Sequence, residues 1–536
     1  MKKRLLSLIL ALCIIISFSP STLAANLPEV DVRTEGLTPA QPQEAPAEKP
    51  RDAGAERRTI YVSNEGTEED DGATAETPTT LARATELANE GKKPVEIVVL
   101  GQVSVDTWTS PTVETTLRGG DENAELLFEY CSASDGAYNI SLADALTIDE
   151  IKFNCNYTDY FFSRYYGTYT IVANGYPLVI ASGVQYSYYT ADTIVDGKTC
   201  STSSCYVIGG GLDEDITGGT HVEIYTSLPL TYVYGGGVNG SVESNVYLHI
   251  ENCGKIQHVR AGGYANKKDA KVNGNITLDF INSVTDNPIY GGGYARSSYS
   301  AEVTGSICIN LSGLNNGFGR PIYGGGYGKN APVVGNITFN ISNTKMNNNA
   351  AAIYGGGYDS DVTGDIFIHI KENSLISEET VWGGGTGDST ITGGVTITVD
   401  DSSEVIGEIR AGGNEGADVI GDVVITVSGG PQSACPTIFA TGKGEDEDNP
   451  AQVDGNVSIT LHGSRANVYT LDKFGEVTSD HTVTIILDDT DELSGAVRGD
   501  SKLDQHLYNH EKDNPTRTGN GASVIVKGDY TSTGIH

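Results

Sequence analysis

A six-residue phrase that recurs from residue 207 onward restricts the fold of this chain more than any other feature. The phrase reads IYGGGY at residues 289, 322 and 353, and successive copies are separated by 26 to 33 residues. Related copies begin at residues 207, 233, 259, 381, 409, 438, 468 and 497. A repeat of this length cannot bury an apolar face alone, whereas stacked repeats bury a continuous core. A propeller blade needs roughly 40 residues or more, so the spacing predicts a β-solenoid.

A second phrase, which follows many copies of the first, has the alternation of a β-strand. In VNGNITLDF, which begins at residue 272, Ile276, Leu278 and Phe280 alternate with Thr277 and Asp279. Successive side chains on a strand face opposite sides, so this period of two indicates one buried face. Similar segments recur, for example VTGDIFIHI at residue 362, and each predicts one such strand in its coil.

The second position of the six-residue phrase predicts a ladder of side chains on the outside of the solenoid. The first position is Val or Ile in every copy and should face the core, so the second should face outward. Arginine in this column supports that orientation, because an unpaired guanidinium group is not tolerated in a dry core. After Ile208, the column supplies the candidate binding residues Tyr234, Arg260, Tyr290, Tyr323, Tyr354, Trp382, Arg410, Phe439, Tyr469 and Arg498.

The ladder has two interpretations. Exposed aromatic and arginine side chains favour binding of sugar rings or of a partner protein. Alternatively, stacked rings and pairs of arginine with aromatic rings stabilise neighbouring coils without binding anything. The sequence leaves both open.

The amino-terminal residues have the features of an export signal. Lys2, Lys3 and Arg4 precede an apolar stretch from Leu5 to Phe18, and small residues follow. This pattern indicates a signal peptide over residues 1–25 and predicts a secreted, extracellular protein that could associate with a cell surface. No other apolar stretch is long enough to be a transmembrane helix after cleavage.

The rest of the chain divides into four predicted segments. Residues 26–58 are rich in Pro, Ala and Glu and are expected to form a disordered linker. Residues 59–206 are expected to form a cap with a short amphipathic helix over Thr80–Asn89, followed by irregular coils. Residues 207–500 contain the repeated coils, and residues 501–536 are expected to form an irregular tail.

The acidic charge of the chain limits which partners and cofactors it is expected to bind. The formal net charge is −36, and removal of three basic residues with the signal peptide makes it −39, which disfavours nucleic acid as a partner. The acidic loop at residues 444–448 could bind Ca²⁺ loosely, but it lacks the ligand spacing of a defined site, so we predict no cofactor and no metal centre. Seven cysteines remain after cleavage, which gives no complete set of disulfides. Pairing of Cys200 with Cys205, or of Cys131 with Cys155, stays open.

The segment from Thr59 through the single helix to EIVVLG at residue 96, followed by short strands, resembles the start of pectate-lyase-like parallel β-helix proteins. The GGG-bearing coils resemble repeats of adhesin-like surface proteins of Gram-positive bacteria. Together these resemblances cover most of residues 59–500. They imply a right-handed parallel β-helix and an extracellular structural or adhesin-like function, with carbohydrate or a host or cell-surface protein as the partner.

The same resemblance implies an alternative, a polysaccharide lyase or glycoside hydrolase on a β-helix scaffold. Family enzymes that hydrolyse polygalacturonate carry Gly-His-Gly and paired-aspartate motifs, and this chain has no such Gly-His-Gly. The pairs Asp400–Asp401 and Asp488–Asp489 lie at predicted strand ends, where acidic turn residues are common. We therefore predict no catalytic residues, and expect an enzyme of this fold to reveal itself by outward Asp, Glu, Lys or Arg side chains clustered together.

Overall fold

The computed structural model describes most of the chain after residue 56. The described residues are 57–128, 138–155, 168–186, 194–195, 198–199, 204–228, 230–314, 318–346, 351–377, 380–429, 436–446, 448–464, 466–470, 472, 474–478, 481–488, 497–498 and 523–527. The predicted signal peptide, nearly all of the predicted linker, Cys131 and Cys200 lie outside them.

The described residues form a parallel β-solenoid, which confirms the predicted all-β fold class. One face is a sheet of sixteen strands, here called the long sheet, whose neighbours pair in parallel and in register, as Ile337 does with Ile366. Its strands are Arg58–Thr67, Val95–Val99, Thr115–Gly119, Leu146–Asp149, Leu178–Ile180, Thr220–Ile224, Val246–Glu251, Ile276–Ile281, Ile307–Ser312, Ile337–Ser342, Ile366–Lys371, Val395–Val399, Val423–Ser428, Val457–His462, Val483–Asp488 and Ser523–Lys527.

A second sheet, here called the ladder sheet, contains the first two positions of the repeated phrase. Its strands are Trp108–Thr109, Ile140–Ser141, Thr168–Val172, Ser204–Ile208, Leu230–Tyr234, Lys255–Arg260, Ile289–Tyr290, Ile322–Tyr323, Ile353–Tyr354, Thr380–Trp382, Glu408–Arg410, Thr437–Phe439, Asn467–Tyr469 and Val497–Arg498, with Val284–Thr285 paired beside Lys255–Arg260.

Shorter sheets complete the coils. A four-stranded sheet contains Gln102–Val105, Glu125–Phe128, Lys152–Cys155 and Gln185–Tyr186. A six-stranded sheet contains Val333–Val334, Val362–Thr363, Thr390–Thr392, Asp418–Ile420, Ala451–Asp454 and Gly475–Val477. The remaining strands are Lys345–Met346, Leu375–Ile376 and Glu404–Val405, then Tyr264–Ala265 with Tyr294–Ala295, and the antiparallel pair Ile194–Val195 with Lys198–Thr199.

The core follows from the period-two pattern of the long strands. In Ile337–Ser342, the side chains of Ile337, Phe339 and Ile341 are fully buried. The equivalent inward residues of successive coils form one hydrophobic cluster that extends from Ile60 to Ile485. Stacking therefore buries an apolar face that one coil could not bury alone.

Two corners of the coil restrict which residues can occupy them, one by its backbone conformation and the other by its limited space. At the end of the long strands, Asn252, Asn282 and Asn343 have φ values of 55°, 47° and 48°, a left-handed conformation that Asn tolerates better than most residues. At the GGG corner the constraint is space. A Cβ atom on Gly324 would lie 2.3 Å from the carbonyl oxygen of Gly355 in the next coil.

The predicted amphipathic helix is present as α1, Leu81–Gly91. It begins after Thr80, whose hydroxyl accepts a hydrogen bond from the backbone N–H of Arg83, and it ends at Lys92 with a φ of 54°. Its apolar face packs into the same core cluster as the first long strands through Leu81, Ala84, Leu87 and Ala88.

The structure adds detail to two expectations from the sequence. Residues 501–536 are predicted to form an irregular tail; within them Ser523–Lys527 pairs in parallel with Val483–Asp488 and extends the long sheet, and the other residues lie outside the described ranges. Cys205 is open to pairing with Cys200 in the sequence, but in the structure it is a free, fully buried thiol. Cys253 and Cys308 are also free and buried.

Candidate functional site

The predicted ladder is present along the ladder sheet, and we call it the inner column. Its side chains point away from the main core. This is shown by a hydrophobic cluster, separate from the core, that contains Tyr290, Tyr323, Tyr354 and Trp382. Successive rings stack nearly parallel, with centroids 5.1 Å apart for Tyr290 and Tyr323 and 4.8 Å apart for Tyr323 and Tyr354. Parallel, in-register pairing gives each coil the same side-chain direction, so the repeat alone generates the stack.

The expectation that this column is an exposed platform is wrong. Every member with a described side chain is buried, with exposed fractions of 3% to 8%: Tyr234, Arg260, Tyr290, Tyr323, Tyr354, Trp382, Arg410, Phe439 and Tyr469. For Arg498 only the backbone is described, and it pairs with Tyr469. Something must therefore cover the outer side of these rings.

Over Tyr234, Arg260, Tyr290 and Tyr323 the cover is a second stack of side chains. We call it the outer column, and it is formed by Tyr264, Tyr294, Tyr327 and Tyr358. Each follows the inner position by four residues, at the end of the six-residue phrase. The ring of Tyr327 lies 4.3 Å from that of Tyr294 and 5.1 Å from that of Tyr358. Tyr294 is buried, whereas Tyr264, Tyr327 and Tyr358 keep part of their surface in solvent.

The outer column reaches over the inner one because the glycine corner turns the chain back on itself. Tyr327 meets the ring of Tyr290 edge to face at 5.5 Å, and Tyr358 meets Tyr323 in the same way at 5.9 Å. Parallel bridges continue the outer column from Tyr358 to Thr386 and Asn414. In the sequence, the outer column corresponds to the last tyrosine of IYGGGY. The direction of that side chain depends on the backbone conformation of the glycine corner, which the alternation along a strand does not predict.

Two arginines of the inner column are paired rather than exposed. The guanidinium group of Arg260 lies 3.5 Å from the ring centroid of Tyr294 and donates a hydrogen bond of 3.2 Å to the hydroxyl of Tyr234. The guanidinium group of Arg410 lies 3.9 Å from the ring centroid of Phe439 and forms ion pairs with Glu408 and Asp472 at 2.8 and 2.5 Å. These contacts explain how two buried charges are tolerated.

Two carboxylates, those of Asp359 and Glu415, lie near Tyr358 in the outer column. Burial, followed by the charges of Asp359 and Glu415, raises the pKa of the Tyr358 hydroxyl, which places both carboxylates within electrostatic range of that ring. Thr386, the next member of the column, donates a hydrogen bond of 3.2 Å to Glu415. The exposed side of the column is therefore both aromatic and acidic near Tyr358.

A second candidate site lies on the outward face of the long sheet. It is a histidine–carboxylate network on three neighbouring strands, formed by His221, Glu223, Tyr247, His249, Glu251 and Asp279. Glu223 contacts His221 at 2.6 Å and accepts a hydrogen bond of 2.9 Å from Tyr225. Paired residues on these strands are 26 and 30 residues apart along the chain, so local sequence reasoning missed the network.

Asp279 is the centre of this network. One of its oxygens accepts a hydrogen bond of 2.9 Å from Tyr247 and lies 3.3 Å from Nδ1 of His249. The other accepts a hydrogen bond of 2.6 Å from Asn310 on the next strand. Nε2 of His249 lies 3.2 Å from Glu251, so this ring bridges two carboxylates.

The network shifts the pKa values of its acids and of His249 in opposite directions. The hydrogen bond with His221 lowers the pKa of Glu223 against the effect of burial. Burial opposes charge on Asp279, but hydrogen bonds from His249, Asn310 and Tyr247 outweigh it and lower the pKa. Burial likewise opposes charge on His249, yet its contacts with Asp279 and Glu251 raise the pKa.

Other candidates from the sequence show no further site. Within the described ranges, no group of three or more His, Cys, Asp or Glu side chains is arranged to hold a metal ion. Glu447 of the acidic loop lies outside those ranges, so loose Ca²⁺ binding stays a prediction. Asp400 accepts hydrogen bonds from the backbone and hydroxyl of Ser402, as an acidic turn residue does.

No helix within the described residues is both long enough and apolar enough to cross a membrane.

Comparison of the chain with protein-family models, with curated proteins and with solved structures gives no match.

Proposed function

We propose that this protein is an extracellular structural or adhesin-like β-solenoid that binds a glycan or a host or cell-surface protein along its outer tyrosine column. The observation that carries the proposal is the column itself, in which Tyr264, Tyr327 and Tyr358 keep part of their rings in solvent on a rigid stack. Aromatic side chains that are already ordered lose little conformational entropy on binding. Export by a signal peptide over residues 1–25 and presentation on a Gram-positive cell, on a scaffold related to the pectate-lyase-like superfamily, belong to this proposal.

The test is binding of the secreted form of the chain to arrays of glycans and of extracellular-matrix proteins. A variant with Tyr327→Leu and Tyr358→Leu should lose binding, because it removes the exposed rings and leaves the inner column in place. Tyr299→Leu is the matched control, since Tyr299 is 41% exposed and lies outside both columns. Circular dichroism checks that all variants remain folded. Equal binding by the double variant and the wild type would refute a role for the column.

The histidine–carboxylate network supports a second candidate function, a polysaccharide lyase or glycoside hydrolase. Glu223 and Asp279 occupy the same column two strands apart, which separates their Cα atoms by roughly 10 Å. Pairs of carboxylates across a cleft perform glycoside hydrolysis, and the network is a cluster of outward acids of the kind expected for an enzyme. It ranks second because hydrogen bonds already engage both oxygens of each acid.

Release of reducing ends or unsaturated sugars from a panel of polysaccharides tests this second function. Activity that Asp279→Asn abolishes would support it, with Asp422→Asn as the control because Asp422 lies at a turn outside the network. Activity that survives Asp279→Asn, or no release from any polysaccharide of the panel, would count against it.

A further inference from the structure

We infer that the outer column around Tyr327 and Tyr358 binds arginine side chains of a basic polypeptide segment, an inference that rests on the proposed binding function and names its ligand. The chain already places guanidinium groups on these stacks. Arg260 lies 3.5 Å from the ring centroid of Tyr294, and Arg410 lies 3.9 Å from that of Phe439. At both places the aromatic column accepts a flat cation.

The coils between these two arginines offer rings without such a cation. Within the part of the chain that the structure describes, no Arg or Lys side chain lies over the ring of Tyr327 or Tyr358. Both rings keep part of their surface in solvent. An external cation could therefore stack on the exposed side of these rings, whereas Arg260 and Arg410 contact aromatic rings from within the buried inner column.

Charge also favours a basic ligand. Asp359 follows Tyr358 in the chain, and Glu415 accepts a hydrogen bond from Thr386, which pairs with Tyr358. Both carboxylates therefore lie near the Tyr358 ring and could pair with a guanidinium group stacked on it. Among the described residues two cations lie nearby, and each is engaged. Lys329 pairs with Asp388 at 2.5 Å, and Arg296 donates a hydrogen bond of 3.3 Å to the hydroxyl of Tyr294. The chain as a whole has a net charge of −36, so it attracts a basic partner.

The chemistry of this surface favours arginine over other ligands. A guanidinium group is planar and weakly hydrated, and it can stack on a ring while it donates two hydrogen bonds to a carboxylate. A lysine ammonium is a hydrated point charge that gains less from the same surface. A neutral sugar can stack on the rings but leaves Asp359 and Glu415 without a counter-charge, and an anionic sugar is repelled.

The experiment measures the affinity of the secreted chain for an oligoarginine peptide and for an oligolysine peptide of the same length, by isothermal titration calorimetry. We expect tighter binding of oligoarginine, and about tenfold weaker binding of it by the variant with Tyr327→Leu and Tyr358→Leu. Asp359→Asn with Glu415→Gln should weaken binding similarly. The matched charge control is Glu68→Gln with Glu69→Gln, two exposed acids on a distant loop, which should change binding little.

Equal affinity for the two peptides, or equal losses in the Asp359/Glu415 and Glu68/Glu69 variants, would overturn the inference, because bulk acidity would then explain binding. Unchanged oligoarginine binding by the double tyrosine variant would overturn it as well. The arrays separate this failure from failure of the proposed function. Suppose that the double tyrosine variant loses binding to the arrays but the wild type shows no preference for oligoarginine. The column would then remain a binding surface, and only the assignment of a basic ligand would be refuted.

Discussion

The guanidinium group of Arg260 lies 3.5 Å from the ring centroid of Tyr294, which belongs to the next coil. Arg260 is part of the inner column and is 4% exposed, whereas Tyr294 is part of the outer column. The contact therefore joins two coils and two columns at once. It shows that the aromatic layer outside the ladder sheet is a packed structure with its own interior, not a single row of exposed rings.

Replacement of Arg260 by Met should lower the free energy of unfolding by about 2 kcal/mol, because the desolvated cation–π contact is lost while apolar volume is kept. Urea denaturation followed by circular dichroism measures the change. Arg296→Met is the control, since Arg296 is exposed and lies 5.6 Å from the same ring, and it should cost about 0.5 kcal/mol or less. Similar losses in the two variants would contradict a special role for the buried arginine.

Replacement of Gly324 by Ala should lower stability by about 1–3 kcal/mol, because the new methyl group would overlap the carbonyl oxygen of Gly355 and the side chain of Ile337. Thermal unfolding of the variant and the wild type gives the comparison. Gly218→Ala is the matched control, because a Cβ atom at Gly218 meets nothing within 4 Å. If the two alanines behave alike, close approach of the coils at the GGG corner is not what requires glycine.

The histidine–carboxylate network should make the free energy of unfolding depend on pH, both in acid through Asp279 and above mildly acidic pH through His249. The lowered pKa of Asp279 contributes stability above the unfolded value of about 3.9, which is lost as the pH falls through the lower folded pKa. The raised pKa of His249 contributes stability below the unfolded value of about 6.5, which is lost as the pH rises through the higher folded pKa. The network should therefore stabilise most between roughly pH 4 and 6.5.

Denaturation of the wild type, His249→Gln and Asp279→Asn across this range checks both signs. The advantage of the wild type over His249→Gln should shrink from mildly acidic to alkaline pH, and its advantage over Asp279→Asn should shrink below about pH 4. If the difference in unfolding free energy between the wild type and each variant stays constant across the whole pH range, neither group changes its pKa on folding.

The three described free thiols should be unreactive in the folded protein. Burial raises the pKa of Cys205 and of Cys253 to about 12 and that of Cys308 to about 11, so almost no thiolate is present at neutral pH. Alkylation with iodoacetamide followed by peptide mapping should modify these residues only after denaturation. Rapid native modification of Cys205, which is fully buried, would show that the ladder sheet opens around it.

Most of the fold could be predicted from the sequence, because a solenoid is specified by short-range patterns. The alternation in Ile276–Ile281 defines which side chains face the core, and the interval between copies of the phrase defines the coil. The candidate sites could not be predicted in the same way. His249 and Asp279 meet only because Val246–Glu251 and Ile276–Ile281 pair in a particular register, and a shift of two residues would separate them.

The sequence by itself determined the stacking of coils, the inward column of aliphatic side chains and the existence of a ladder, because period-two alternation and a repeat near 29 residues leave few other ways to bury apolar surface. Only the tertiary structure decided that the ladder is covered and that Tyr327 and Tyr358 present the open surface. The reason is the glycine corner, since side-chain direction after such a turn depends on backbone conformation and contacts with the next coil, which alternation along a strand does not encode.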